Sequence, residues 1–458
     1  MTKTKNFWNR LVSTLWFVPT VFAVCGVLLG ILLVAFDYFV GSPFRFLPPF
    51  FEVQSSGARD ILSVIAGSSI TVAGTVFSIT IVALTLASTQ FSPRILRNFM
   101  RDTGNQAVLG ALVGIFGYCI VVLRSIREGG DDPSLNFVPS TAVFFAVIFG
   151  FVGVACLIYF IHHVATSIQA TSIVALIAEE TIKEIKTTFP VKEDFPKLDK
   201  ESAKLLTKKD FLTVSADFSG YVQNADAQEL IIIAEKHDIV LKMQRRIGQF
   251  TLEGFPILEI FTKNAGFKLD EKTIAELKDT YNIGSYRTVE GDVAFGLRQI
   301  VDIALKALSP AINDSTTAIT CVDYLTAIMS CIAKRPSCPS YLFENGKLRL
   351  VIEQQCFEDF FDLAFNQIRQ NAGGNVAVIL RQLNSVNILS KINVNLPFKS
   401  ERRERHLIMQ TQARLLYELA EQTVKADEDL QAVVRYYKRV EQSLNERKSK
   451  IQIADSKN

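Results

Sequence analysis

The chain has 458 residues, 49% of them hydrophobic and 21% charged, with a formal net charge of +3; that length allows about three domains. The charge is unevenly spread: the first 163 residues carry 10 Lys/Arg and 7 Asp/Glu, whereas the remaining 295 carry 39 of each, close to the roughly 25% of an average soluble domain. This distribution excludes a simple soluble enzyme, a disordered chain and a nucleic-acid binder driven by bulk charge, and it predicts an α-helical integral membrane protein with a large water-exposed remainder.

Four segments are apolar enough to span a bilayer, which needs about 20 helical residues. Leu11 to Phe36, Ile61 to Pro93, Thr103 to Leu123 and Pro133 to Ile161 are each free of Asp, Glu, Lys and Arg. The first is too long for a signal-peptide core and lacks a small-residue cleavage site, so it reads as a retained anchor. Four spans place both termini on one side. Lys3, Lys5, Arg10, Arg94, Arg97 and Arg101 would flank that side, against Arg45, Arg59, Arg124 and Arg127 on the other, so the termini and the C-terminal region are expected in the cytoplasm. Seven cysteines without a C-x-x-C pair argue against a disulfide framework or a zinc cage.

The second span carries the most information. At 100° per residue, Ser63, Gly67, Thr71, Gly74, Ser78, Thr85, Ser88 and Thr89 fall along one face. Such a stripe fits close helix packing, in which small residues let backbones approach. Packing is the commoner reason for such a stripe; the sharper reading is a narrow polar pathway shared by several copies around an axis. The span holds no ionisable side chain, which counts against a proton relay or ion-coupled transporter. Beyond it, Ser92 and Pro93 form a helix-start signal, and Arg94, Arg97 and Arg101 would share one face at the membrane edge. Their simplest role is headgroup anchoring; a ring of cations at a pore mouth is the other reading.

Adjacent His162 and His163 close the fourth span, pointing about 100° apart and thus unable to chelate one metal as an i, i+4 pair could. Helical periodicity continues from Ala165 to Phe189, predicting one long helix into the cytoplasm that stops at Pro190. The implied domains are 1–164 (membrane), 165–210 (connecting helix and linker), 211–265 (a small β module with an inserted helix) and 266–458 (an α-helical cytoplasmic domain). Within the β module, Gly248 and Gly254 bracket a short alternating run similar to half of the barrel-sandwich hybrid of biotinyl and lipoyl domains. Lys242 precedes that run instead of following it, so no carrier function and no cofactor is implied. From Asp270 onward the pattern is helical, including Leu348 to Asn371 and two closing helices at about 401–424 and 427–448.

One polar cluster stands out: Arg287, Asp292, Arg298, Asp302, Asn313 and Asp314. Ion pairing and capping are the usual work of such residues; a pocket for an anionic regulator is the alternative. No Walker loop, dinucleotide fingerprint, H-E-x-x-H or G-x-S-x-G is present, and four histidines leave little for catalysis or a metal site. An enzyme is the least favoured class.

Ser56-Gly57-Ala58-Arg59, the run from Ile65-Ala66-Gly67-Ser68 through Ile70-Thr71-Val72-Ala73-Gly74, and Gln90-Phe91-Ser92-Pro93-Arg94 together resemble a large family of bacterial predicted membrane proteins. Tyr159-Phe160-Ile161-His162-His163, Gly220-Tyr221-Val222-Gln223, Phe295-Gly296-Leu297-Arg298-Gln299 and Ser309-Pro310-Ala311-Ile312-Asn313-Asp314 extend the resemblance over essentially the whole chain. The family is catalogued as a domain of unknown function. The resemblance implies a bacterial inner-membrane location and carries no established activity. The functional expectation is an oligomeric channel or pore in the lipid bilayer, passing inorganic ions, with a cytoplasmic assembly or gating domain. A non-conducting scaffold or sensor that binds a partner protein is the alternative.

Overall fold

The computed structural model describes residues 14, 16–40, 54–91, 93–95, 102–127, 137–189, 198–207, 210–263, 269–336, 341–394, 396 and 399–456. The chain divides into two compact units, Met1–Ser172 and Ile173–Asn458.

The first unit is helical: α1 (Phe17–Val40), α2 (Ser55–Gln90), α3 (Thr103–Ser125) and α4 (Ser140–Ser167). Helix α3 is the hub, in contact with all three others. Its pairing with α1 rests on glycines: a Cβ at Gly26 would overlap the carbonyl oxygen of Gly114, and Gly110 lies flat against the Phe22 side chain, 3.0 Å from where its own Cβ would stand. Small residues four apart let two apolar helices meet backbone to backbone, which is how helices associate where water supplies no hydrophobic drive. Helix α2, about 54 Å long at 1.5 Å per residue, outruns a ~30 Å hydrocarbon core.

Five helices among the described residues, not the four expected, are long and apolar enough to cross a membrane by length and composition: α1 to α4 and Ser315–Ala333. The fifth escapes a search for uncharged runs because Asp323 interrupts it. The expected continuous helix beyond the fourth span is also broken. Helix α4 stops at Ser167, and α5 (Ala170–Thr188) starts after Ile168 and Gln169.

The second unit combines two sheets with a helical layer. Its elements in order are α6 (Lys200–Leu206), β1 (Leu212–Ser215), β2 (Gly220–Ala225), α7 (Ala227–Lys236), β3 (Val240–Met243), β4 (Phe250–Thr251), β5 (Pro256–Phe261), α8 (Glu271–Asp279), β6 (Tyr281–Gly284), α9 (Val293–Ala307), α10 (Ser315–Ala333), β7 (Tyr341–Glu344), β8 (Lys347–Val351), α11 (Phe357–Asn371), α12 (Val376–Val394), α13 (Lys399–Thr423) and α14 (Asp427–Ser456). One sheet runs β1-β5-β3-β8-β7 and the other β4-β2-β6. All pairings are antiparallel except β3 with β8, where Leu241 faces Leu350. Leu230, Ile239, Leu241, Leu258, Ile260 and Leu350 lie in the sheet core.

Both sheets are open, which overturns the barrel-sandwich expectation. The Gly248–Gly254 run contributes only the two-residue strand β4, and β5 leaves for the other sheet. The alternation of side chains was legible, but the choice of partner strand is a long-range matter. Leu348 to Val351, expected in a helix, is strand β8. It forms a hairpin with β7 across Asn345 and Gly346, whose φ values are +50° and +74°, and Asn-Gly is the strongest short hairpin signal.

Candidate functional site

The polar face of α2 is the first candidate. Its opposite side, from Ala58, Leu62 and Ala66 to Ala73, Val76, Ala83 and Ala87, is buried in the bundle core. Ser63, Gly67, Thr71, Gly74, Ser78, Thr85 and Thr89 all point away from the chain's own bundle, and Ser88 is half-buried. Nothing lies within 4 Å of where a Cβ would stand at Gly67 or Gly74. The hydroxyls are turned inward along the helix: Thr71 donates to the Gly67 carbonyl at 2.8 Å, Ser78 to Gly74 at 2.9 Å, Thr85 to Ile81 at 2.9 Å and Thr89 to Thr85 at 3.0 Å. These four O–H protons are thereby used, whereas their oxygen lone pairs stay open. At Thr71, Ser78, Thr85 and Thr89 the face therefore presents acceptors.

At the end of α2, Arg94 sits exposed in a short 3-10 turn, Pro93–Ile95; Ser92, Arg97 and Arg101 lie outside the described residues. Nearby, Asp102 caps α3 by accepting from the Gly104 N–H at 2.9 Å. Its other carboxylate oxygen lies 2.7 Å from Nε2 of His163, whose ring stacks on Tyr159 with centroids 5.4 Å apart. His163 thus ties the end of α4 to the start of α3, while His162 faces outward.

Sequence reading passed over Asp37. It lies one residue beyond the first uncharged run, yet it is 6% exposed, and its Oδ2 accepts from the backbone N–H of Ala142 at 3.1 Å. That N–H belongs to the first turn of α4, where no neighbour in the helix can take it. Tyr118 donates its hydroxyl to the Ala142 carbonyl at 2.7 Å. An acid at the end of an apolar run, with a helix start elsewhere lacking a side-chain cap, was the available signal; the sequence separation of 105 between Asp37 and Ala142 hid it.

In the second unit the expected polar cluster resolves into separate jobs. Arg287 makes a bidentate pair with Asp292 at 2.8 and 2.9 Å, and stacks over Phe295. Asp292 also caps α9 through the Phe295 N–H at 3.0 Å. Burial pushes its carboxyl above the ordinary range, with the Arg287 charge pulling the other way. Gly248 (φ +86°) lets the backbone between β3 and β4 pass this pair, because a Cβ there would overlap the Asp292 carboxylate. Arg298 instead donates to Gln367 on α11, and Asp302 lies half-buried one turn further along α9. Asn313 takes φ +50° and leads into Asp314. That residue caps α10 through the Thr317 N–H at 3.0 Å and the Thr317 hydroxyl at 2.5 Å, contacts that hold its carboxyl below the usual range. Among the described residues no group of three or more His, Cys, Asp or Glu side chains could hold a metal ion.

Comparison with known proteins gives the same picture of a membrane chain. An uncharacterized protein of Mycobacterium bovis and two of Mycobacterium tuberculosis are each 30% identical over 445 residues, covering 95% of this chain and 81% of theirs. No solved structure matches. A family model described as "Predicted membrane protein (DUF2254)" matches residues 12–387, and the chain belongs to that family.

Proposed function

We propose that the protein is a homo-oligomeric membrane conduit for small inorganic ions, in which the outward face of α2 from each copy lines a shared axial pathway. The carrying observation is that Gly67, Thr71, Gly74, Ser78 and Thr85 stand exposed on a helix whose other side is buried. A polar face in hydrocarbon is unfavourable, and gathering several such faces around water removes the penalty. The open lone pairs favour cations over anions, and the lack of a carboxylate along the face favours monovalent over divalent ions. With α10 packed inside the second unit against α9 and α12 and so not counted as a span, that unit serves assembly or gating from the cytoplasmic side of a bacterial inner membrane, with both termini on that side; this reading has no enzymatic component.

The test is bilayer recording from purified oligomer. Thr71→Leu with Ser78→Leu should abolish the current, and cation substitution should move the reversal potential. A Thr71→Cys variant should react with a water-soluble methanethiosulfonate. The inward hydroxyl bonds favour a second reading, a non-conducting scaffold in which the α2 face packs dry against another helix. Under that reading the cysteine stays unreactive and no current flows.

A further inference from the structure

The chain passes from the first unit to the second once, between Ser172 and Ile173, and helix α5 carries it across. The body of that helix is held within the second unit. Ile173, Val174, Ile177, Ala178, Thr181 and Ile185 form one buried stripe. Thr181 donates its hydroxyl to the Ile177 carbonyl at 2.6 Å, and that oxygen stands where a Cβ of Gly296 on α9 would be. Just past the helix end, the Phe189 carbonyl accepts from Arg335 Nε at 3.2 Å. The Phe189 ring meets Phe360 edge to face, with centroids 5.9 Å apart. Groups interlocked this closely move together, because a packed interior passes strain on.

The other end of α5 is joined loosely. Ile168 and Gln169 lie outside both α4 and α5. Their N–H groups reach the carbonyls of Val164 and Thr166 at 3.3 and 3.4 Å, longer than the usual 2.9–3.0 Å. A few residues at the end of an element are enough to form a hinge. What adjoins this one is the back of α2. Phe160 and Val164, in the last two turns of α4, share a core cluster with Ala73, Val76 and Ala83, and Ile168 packs against the same cluster. Between them His163 ties α4 to Asp102 at the start of α3.

We propose that α5 is a lever through which the second unit moves the end of α4 against α2, with Ile168 and Gln169 as its joint. The consequence for conduction rests on the conduit reading: pushing Val164 against Ala83 reorients the helix whose opposite face lines the pathway. The mechanical coupling is independent of any current.

Hydrogen–deuterium exchange of the full-length protein in phosphatidylcholine nanodiscs tests the lever. Gly296→Ala crowds Thr181 by one methyl, and should speed exchange in α5 about fivefold and in the last two turns of α4 about twofold. Adding Thr181→Ala makes room for the methyl and should reverse both changes. Thr181→Ala alone loosens the contact without crowding it and should give the same pattern, so the test survives an intolerant Gly296. A flexible Gly-Gly-Ser insertion between Gln169 and Ala170 should keep the α5 response and remove that of α4. Unchanged exchange in α4, or an α4 response that survives the insertion, overturns the lever. Bilayer recordings separate this result from the conduit reading. Absence of current in wild type ends the conduit and leaves the exchange pattern to decide the lever. Where current flows, Gly296→Ala should alter open probability only without the insertion; an effect that persists with it overturns the link to conduction.

Discussion

The first unit carries two glycine-bearing helix faces with opposite fates. On α1 and α3, Gly26, Gly110 and Gly114 lie against a neighbour so closely that a side chain has no room; on α2, Gly67 and Gly74 look onto open space. The residue type is the same, and so is the spacing logic of small residues on one face. Only the presence of a second backbone distinguishes them. A small-residue stripe is therefore a statement about what could approach, and its partner has to be found elsewhere. The second unit repeats the covered case at Gly296, where a Cβ would overlap the Thr181 hydroxyl of α5.

Removing or crowding a cover tests this contrast, and the effects should fall in a definite order. The largest is expected at Arg287→Met, which leaves a carboxylate with a 2% exposed side chain without its cation. Breaking a buried pair costs about 3–5 kcal/mol, measured as loss of unfolding free energy against wild type. Because burial raises the Asp292 carboxyl, the deficit should narrow as pH falls through that raised value, where the protonated group no longer needs a counter-charge. A pH-independent deficit would show that Arg287 acts by packing on Phe295.

Next comes Gly114→Leu, which drives a side chain into the backbone of α1. Overpacking costs about 1–3 kcal/mol and occasionally more, so the melting temperature in detergent should drop clearly. Gly67→Leu and Gly74→Leu should leave the isolated subunit's melting temperature unchanged while disrupting the oligomer. Equal losses at all of these positions would erase the distinction between the two faces. Gly296→Ala should fall low in the same range, and Thr181→Ala should restore most of the loss in a double-mutant cycle, since its hydroxyl is the overlapping group.

The smallest effect is expected at a purely local contact. Asp314→Ala removes one helix cap, costing about 1 kcal/mol. The folded-state carboxyl is lowered, so wild type's advantage should be full at neutral pH. It should then shrink as pH falls below the unfolded-state value and through the folded one. Paired denaturation curves at two pH values check it.

Much of this molecule was legible in the chain, where the deciding interactions span a few residues. The apolar runs of α1 to α4 follow from composition. The cap at Asp314 follows from an acid three residues before the N–H it accepts from. The hydroxyl and glycine face of α2 follows from helical spacing. The Asn345-Gly346 hairpin was equally local in its signal, though the sequence reading placed a helix over β8.

Tertiary structure alone decided which face of α2 the bundle covers, that Asp37 closes the start of α4, and that β5 joins β1 and β3 instead of completing a barrel. Each depends on groups far apart in the chain meeting at one place. Periodicity and capping rules describe energies that act within a turn or two of helix, so they cannot rank such meetings. The competition among distant partners is settled by packing of the whole unit.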